Sequence, residues 1–525
     1  MKVAPIKIIV VFLSLLIIFL YLFNLGNNPT GLFCDEALFG IRAKQILEGN
    51  FNKIISPLFN IHFRYVEGNL TFYPLIPFIG ILGLNEFSVR FTSLFFTAVS
   101  LPIFYLSLKK LGVKNTFFPI ITYVLTPFII HISRIYITST TPSIFVMLSA
   151  YYFYIRGQKE GRTTFFILSG LLFGVASYGY NAFIVSIILI LLSIVISELL
   201  FTKLRLLRNK KIFLLFLSYI IICLPIIFSA FKNPQFFNRL KEKNQDFSNI
   251  SSERIFGMVS KYFKYYDFNY LSVSGEQHFP GAFIQRHTVT NAGIYLKTTV
   301  IFIFLSYVIF LVTKNKNKRY FAPLFSLFLL HPIPDLISSP TTSPPYTIPL
   351  SSTIFVIPFI IGYGIDYLLN PNTLLKLSLN KQKIFSLFFT SLIIVSIIEG
   401  LYFITYTYQK YPLYSSGYWG WQYGPKEIVN YFINNKDKYN YMCMEGVFNE
   451  PQVFIEFYDF NNLCKGKCHI CSPLDHDRYP KNTLYAISTE SLGEYSLGKT
   501  GSINYNIEKI IYYPNGLPAF YLIKQ

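Results

Sequence analysis

The sequence predicts an α-helical polytopic membrane protein of about eleven crossings, with a small α/β domain appended at its C-terminal end. Three observations carry this. Of 525 residues, 52% are apolar and only 14% are charged, against about a quarter charged in a soluble domain. Apolar runs recur along the first four hundred residues, each near the length that crosses a hydrocarbon core. After residue 407 these runs stop and shorter alternating segments replace them.

The expected spans lie near 6–25, 88–108, 116–133, 139–155, 163–180, 182–201, 212–231, 294–313, 320–337, 347–369 and 384–406. The first follows Lys2 and Lys7. It is too long for a signal-peptide core and no small-residue cleavage site follows it, so it reads as a retained helix with its N-terminus in the cytoplasm. Basic residues then fall in alternate gaps. Lys109, Lys110 and Lys114 fill one, Arg156, Lys159 and Arg162 the next, and Lys203, Arg205, Arg208, Lys210 and Lys211 a third. Lys314, Lys316, Lys318 and Arg319 follow, then Lys376, Lys381 and Lys383. Short basic loops face the cytoplasm. The connection 331–346 has no Lys or Arg at all. This topology sets the first loop, 26–87, the long loop 232–293 and the tail 407–525 outside, in the cell membrane. It also explains the net charge of +20 without nucleic acid as a partner.

The expected domains are a membrane domain, 1–406, and an extracytoplasmic α/β domain, 407–525. In the tail, Lys426 to Ile433 reads as an amphipathic helix, and Gln452 to Tyr458 and Leu484 to Ile487 read as strands. Four of the six cysteines lie there: Cys443, Cys464, Cys468 and Cys471. Outside the cytoplasm disulfides are permitted. With His469 and His476 the same residues could instead hold zinc, although the spacing is not a paired CxxC set. Pairing is open on the sequence alone.

Asp35-Glu36 stands out, a carboxylate pair just outside the slab in a chain with few acids. It opens the segment Gly31 to Gly49, which reads as an amphipathic helix whose first turn favours anions. The plain alternative is a capped surface helix. Further on come Arg64, Tyr65 and Glu67, then the Pro-broken apolar stretch Phe72 to Pro77, which reads as a second short interfacial helix. Arg90 and Arg134 sit at span boundaries, where snorkelling to headgroups is the ordinary role. Arg286-His287 follows the aromatic-rich part of the long loop. Carboxylates beside cations and aromatic walls suit transfer from a lipid phosphate to a hydroxyl: a carboxylate takes the proton and a cation holds the phosphate. Outside the cytoplasm nucleotide sugars are scarce, so the donor expected is a polyprenyl-linked sugar.

Two stretches resemble the GT-C glycosyltransferases that use polyprenyl-phosphate sugars, in particular the protein O-mannosyltransferases and the aminoarabinose transferases. One is Asp35-Glu36 followed by Ala43-Lys44-Gln45-Ile46-Leu47-Glu48-Gly49. The other is Gly83-Leu84-Asn85-Glu86-Phe87-Ser88-Val89-Arg90. Ser133-Arg134, Arg64 to Glu67, Gly275-Glu276 through Arg286-His287, and Trp419-x-Trp421 through Glu427 are similar to further family segments. The resemblance implies a GT-C bundle with two interfacial helices in the first loop, and an inverting sugar transfer that needs no metal and no cofactor. Asp35 would be the base and Glu36 would position the acceptor or its neighbours. Arg90 and Arg134 would support the acidic site or the lipid phosphate, with Arg64, Tyr65, Arg286 and His287 in the donor-binding group. The implied partners are a polyprenyl-phosphate-linked sugar, an acceptor on protein, lipid or glycan, and membrane lipids. The aminoarabinose transferases carry a phosphate-contacting lysine directly after the Arg-Tyr-x-Glu stretch, where this chain has Gly68. The competing readings are a ligase or polymerase that moves a whole lipid-linked glycan, and a lipid-linked saccharide transporter.

Overall fold

In the computed structural model the described residues are 19, 21–52, 54–62, 65–202, 210–233, 251–280, 284–314, 317–339, 342–369, 379–472, 480–492 and 506–524. Most of the first expected span lies outside them. The chain enters helix α1 (Cys34–Leu47) and passes through a three-stranded antiparallel sheet of β1 (Ile54–Ser56), β2 (Phe59–His62) and β3 (Tyr65–Gly68). The stretch Phe72 to Pro77, expected as a second short helix, is mostly 3-10 turn and leads into α2 (Ile76–Leu82), and then to α3 (Glu86–Leu111). Asn85 caps α3, its side chain accepting from the Ser88 amide at 2.9 Å.

The bundle continues through α4 (Phe117–Leu125), α5 (Pro127–Ser133), α6 (Thr140–Glu160), α7 (Thr163–Ala176), α8 (Asn181–Thr202) and α9 (Lys210–Lys232). The long loop holds α10 (Ser252–Lys264). Then come α11 (Lys297–Val312), α12 (Lys318–Leu330), α13 (Ile333–Ser338), α14 (Ile357–Leu368) and α15 (Leu379–Gln409). Among the described residues six helices are long and apolar enough to cross a membrane: Glu86–Leu111, Asn181–Phe201, Lys210–Lys232, Lys318–Ser338, Ile348–Leu368 and Leu387–Gln409. Helical geometry changes inside three of the expected spans, in two of them at proline. The segment 116–133 divides at Thr126-Pro127, because the residue before proline is pushed out of the helical region, and Thr126 sits at φ −63°, ψ 123°. Pro332 and Pro334 separate α12 from α13. The last broken span, 347–369, begins as 3-10 turns from Ile348 to Val356 before α14.

Charged contacts mark the two ends of this bundle. At one end Lys110 pairs with Glu160 (2.6 Å), Arg156 with Glu160 (3.0 Å), and Lys159 donates to Asn317 (2.9 Å). Lys211 donates to the Gly161 carbonyl there (2.7 Å). These residues come from four separate basic gaps. At the other end of α3, roughly 37 Å away at 1.5 Å per residue, Glu86 accepts from Lys426 (2.9 Å) and Tyr458 (3.0 Å) of the tail. Lys261 of the long loop pairs with Asp335 (2.7 Å) in the connection that carries no Lys or Arg of its own. The segments expected on one side of the membrane therefore touch one another.

The tail follows α15 through α16 (Tyr411–Tyr414) and α17 (Pro425–Asn435) into a five-stranded mixed sheet. Its strands are β4 (Tyr441–Glu445), β5 (Cys468–Cys471), β6 (Thr483–Ser488), β7 (Asn506–Tyr512) and β8 (Pro518–Lys524), in the order β5-β4-β6-β8-β7. The strand expected over Gln452 to Tyr458 is instead a helix, α18 (Pro451–Tyr458). The reason is topological: β4 and β5 are parallel, and parallel neighbours need a crossover, most often a helix. Pro451 at its first position starts the helix.

The same sheet settles how the cysteines group. Cys443 and Cys471 are bonded to each other, as are Cys464 and Cys468. Side chains alternate faces along a strand. Cys443, His469, Cys471 and Tyr485 share one face, while Cys468 and Met442 share the other. A single four-cysteine zinc site is excluded by that alternation. Asp459, Cys464 and Cys468 do bring ligand atoms within 4.8 Å, but both sulfurs are bonded to each other, and His469 stacks on Tyr441 on the opposite face (4.0 Å). His476 lies outside the described residues.

Candidate functional site

The carboxylate pair at the start of α1 divides. Backbone geometry turns successive helical side chains by about 100°, and here that step separates a locked residue from a half-exposed one. Glu36 is completely buried. Its carboxylate accepts from Arg90 Nε (3.3 Å) and Nη2 (3.2 Å), from the Tyr136 amide (2.9 Å) and from the Phe33 amide (3.3 Å). The last contact is one half of a capping box. α1 is not the amphipathic surface helix its acids suggested: nine of its fourteen residues, from Cys34 to Ala43, are buried. The tail lies over it, with Gln45 donating to Glu456 (2.8 Å) and Asn449 to the Cys34 sulfur (3.3 Å).

Arg90 is also fully buried, and its N–H groups are occupied. Besides Glu36 it donates to the carbonyls of Leu25 (3.4 Å), Gly26 (3.4 Å), Pro29 (2.8 Å) and Gly31 (2.5 Å), and it lies 5.6 Å from the Trp421 ring centre. Arg134 acts in a similar way from the end of α5, through its two terminal nitrogens. It donates to the carbonyls of Tyr21, Phe23 (3.1 Å) and Asn28 (2.8 Å) and to the Tyr408 hydroxyl (2.7 Å). Neither arginine snorkels. Both are fork-shaped clamps on the strand of backbone that enters α1, using the five-donor geometry that lysine lacks.

Asp35 is half-buried. The Cys34 thiol donates to it at 3.7 Å, and Asp35 together with burial holds that thiol well above its ordinary pKa. Arg286 is the cation that answers Asp35. Its guanidinium lies over the Phe33 ring at 3.8 Å and donates to the Trp419 carbonyl at 3.2 Å. Burial lowers its basicity and the Asp35 charge opposes that. Behind it the Arg286 carbonyl meets His131 Nε2 at 2.7 Å. His287 turns the other way, its Nδ1 3.0 Å from Glu276, which is buried and also accepts from the Thr347 amide. The structure thus sets Arg286 where it feels the Asp35 charge, and sets His287 in a neighbouring buried polar group. Arg64 lies outside the described residues. Tyr65 is described by its backbone alone, paired with His62 in the β2–β3 ladder.

Gly68 has a physical reason. A Cβ at this position would lie 2.3 Å from the Tyr178 carbonyl oxygen, and Leu70 donates to that same oxygen at 3.0 Å. The hairpin packs backbone to backbone on the turn after α7, so no side chain projects from residue 68.

Two residues here escaped the sequence reading. Lys261 and Asp335 form a buried pair, with Tyr265 donating to Asp335 and Lys261 donating to Ser343 at 2.9 Å. Trp421 is buried, donates to the Tyr411 hydroxyl (2.8 Å) and packs on Gly31. The signal for Asp335 was faint: one acid in a connection without bases.

The comparisons agree with this architecture. The family model for dolichyl-phosphate-mannose-protein mannosyltransferase matches residues 70–228. The fold is similar to that of ArnT from Cupriavidus metallidurans bound to undecaprenyl phosphate, at TM-score 0.59 and 11% identity, over 99% of this chain and 98% of that one. The apo form of that protein gives 0.55 at 10% identity. The archaeal oligosaccharyltransferase AglB from Archaeoglobus fulgidus, in complex with an inhibitory peptide and a dolichol-phosphate, gives 0.50 at 10% identity, over 93% of this chain and 70% of that one. No curated protein sequence matches. At these identities the likeness is one of fold, and the fold is GT-C.

Proposed function

We propose that this GT-C chain transfers a glycosyl group from a polyprenyl-phosphate carrier to an acceptor hydroxyl on the non-cytoplasmic face of the membrane. The observation that carries this is the division of the acidic pair. Glu36 is consumed by Arg90 and two backbone amides, which leaves Asp35 as the carboxylate beside a cation, Arg286. The polyprenyl phosphates held by the two GT-C structures support the donor class. So does the dolichyl-phosphate-mannose family match.

In this reading Asp35 accepts the proton of the acceptor hydroxyl as its oxygen attacks the anomeric carbon. The bond from that carbon to the phosphate oxygen breaks, the electron pair leaves with the polyprenyl phosphate, and Arg286 balances the charge that develops there. Attack opposite the leaving group inverts the anomeric centre. Glu36, Arg90 and Arg134 are positioning residues: they fix the backbone from Tyr21 to Gly31 and hence the entry angle of α1. With its Arg90 donors occupied and Gly68 unable to carry a side chain, the phosphate contact falls to Arg286. The basic end of the bundle, around Lys110, Arg156 and Lys211, is the cytoplasmic end by the positive-inside rule. That sets the tail outside and makes 407–525 an extracytoplasmic domain.

Purified protein in nanodiscs, supplied with a polyprenyl-phosphate hexose, tests the reading. Mass spectrometry of membrane glycolipids and glycoproteins from cells with and without the chain identifies the acceptor to add. The reading expects free polyprenyl phosphate and a glycosylated acceptor in stoichiometric amounts. Release of neither product with that acceptor present would remove it.

A further inference from the structure

Helix α10 (Ser252–Lys264) is turned inside out for a helix in water. At 3.6 residues per turn its side chains fall into three sectors. Lys261 faces the bundle: it is 1% exposed and pairs with Asp335 at 2.7 Å. On the far side Ile255, Phe256, Val259 and Phe263 share an arc of roughly 100°. All four are exposed, Phe256 to 76% and Phe263 to 65%. Between these two sectors, along one flank, lie Glu253, Ser260 and Lys264, which are also exposed.

A surface helix in water does the reverse: it buries its phenylalanines and leaves its lysines out. Four large apolar side chains on one open face mark a surface that something apolar covers. The hydrophobic effect makes that face unfavourable in water whatever the rest of the helix does.

The setting of the helix says what covers it. The Tyr262 hydroxyl, at the edge of the apolar arc, and the Tyr266 hydroxyl just beyond the helix both donate to the Leu329 carbonyl at 2.7 Å. Leu329 is next to last in α12 and is itself 46% exposed. It belongs to Lys318–Ser338, a segment long and apolar enough to cross a membrane. The apolar arc of α10 therefore continues the lipid-facing surface of a span, at the end of α12 away from the basic residues. Tyrosines at such a junction are the ordinary composition of a membrane–water boundary. The three sectors match three surroundings: protein behind Lys261, hydrocarbon against the apolar arc, and headgroups and water along the flank that holds Lys264.

We propose that α10 is a membrane-docking helix, with its Ile255, Phe256, Val259 and Phe263 face sunk into the headgroup–acyl boundary of the bilayer that the bundle crosses. The occupant of that face is lipid. The long loop continues from α10 through Gly275–His278 to Arg286, so the lipid contact and the Lys261–Asp335 pair together fix the start of the loop that carries this cation. The docking depends on the chain spanning a membrane and not on the transfer proposed above.

Fluorescence quenching in the full chain tests it. Phe256→Cys, Phe263→Cys and, on the polar flank, Ser260→Cys are each labelled with an environment-sensitive fluorophore and placed in nanodiscs. The three side chains are exposed, so folding is not at stake. The free thiols Cys34 and Cys223 are buried, and wild-type protein carried through the same labelling supplies their background. One quencher is a nitroxide on the lipid acyl chain near its ester, and the other is iodide in the water. The lipid nitroxide is expected to quench the labels at positions 256 and 263 several-fold more than the label at 260, and iodide to give the opposite order. Equal access of iodide to all three positions would place the face in water and overturn the docking. Labels at 256 and 263 shielded from both quenchers would place protein over the face, a second copy included, and would overturn it as well. Lipid quenching in a protein that never turns over a lipid-linked donor keeps the docking and removes the transfer reading.

Discussion

Glu36 and Arg90 face each other fully buried at 3.2 Å, while Asp35, one position earlier on the same helix, lies outside the pair and its charge acts on Arg286. An acidic doublet that reads as one feature in the sequence is two devices in space. One fixes the backbone that enters α1, and the other carries the proposed chemistry. The consequences for mutation differ sharply between the two neighbours.

Removing either member of the buried pair strands its partner. Glu36→Ala and Arg90→Ala should each cost roughly 3–5 kcal/mol, read as a large drop in thermal midpoint in detergent or as failure to accumulate. The double variant should cost less than the two losses added together. Additive losses would show that the two side chains do not act on one another.

The Lys261–Asp335 pair offers the same test away from the proposed chemistry. Lys261→Met and Asp335→Leu should each destabilise by a similar amount, and the double apolar variant should recover most of the loss, because no unpaired charge is left buried. Recovery is measured as thermal midpoint. A double variant worse than either single change would contradict it.

Gly68→Ala places a methyl group against the Tyr178 carbonyl oxygen at 2.3 Å. Forcing an extra carbon into so close a contact costs about 1–3 kcal/mol, and Gly68→Lys costs more. Unchanged melting of Gly68→Ala would show that the hairpin can slide on the turn after α7.

Glu427 carries a pH signature. Burial raises its pKa above the ordinary carboxylate value, with Glu86 adding to the rise and Lys426 opposing it. A carboxyl whose folded pKa is raised holds its proton more tightly in the folded state. Its contribution is fully present at low pH and is lost as pH climbs from the unfolded value through the folded one. Glu427→Gln removes that loss, so its thermal midpoint relative to wild type should be higher at pH 7 than at pH 4. An equal difference at both pH values would contradict the sign.

The two disulfides should differ in worth. Cys443–Cys471 closes a separation of 28 residues and Cys464–Cys468 one of 4. Loop-closure entropy then gives about 3.5 kcal/mol for the first and about 2 kcal/mol for the second. Paired Cys→Ser variants, followed by thermal melts, check the order.

Much of this was legible because it is local. Apolar run length, the alternating basic gaps and the two motifs of the first ninety residues can all be read in order along the chain. What stayed hidden depends on contact across distance. Which of Asp35 and Glu36 is buried could not be read from α1, because Cys34, Ala37, Leu38, Phe39 and Ile41 surround them with apolar residues on every side. Arg90 and Arg134 looked like boundary arginines; only the carbonyls of residues 21–31 reveal them as clamps. The helix at Pro451–Tyr458 was misread because Val453, Phe454, Ile455 and Phe457 are as good in a strand as in a helix, and the parallel pairing that demands a crossover lies outside the segment.

The measurement closest to the central claim is transfer by Asp35→Asn, a nearly isosteric change that removes the basic carboxylate and leaves the buried Glu36–Arg90 pair intact. Purified variant and wild type are compared in nanodiscs for release of polyprenyl phosphate from a lipid-linked hexose in the presence of acceptor, with thermal melts run alongside. The account predicts a near-native midpoint and turnover reduced by at least a factor of about 100, the contribution expected of a general base. A variant that folds and transfers sugar at the wild-type rate contradicts it.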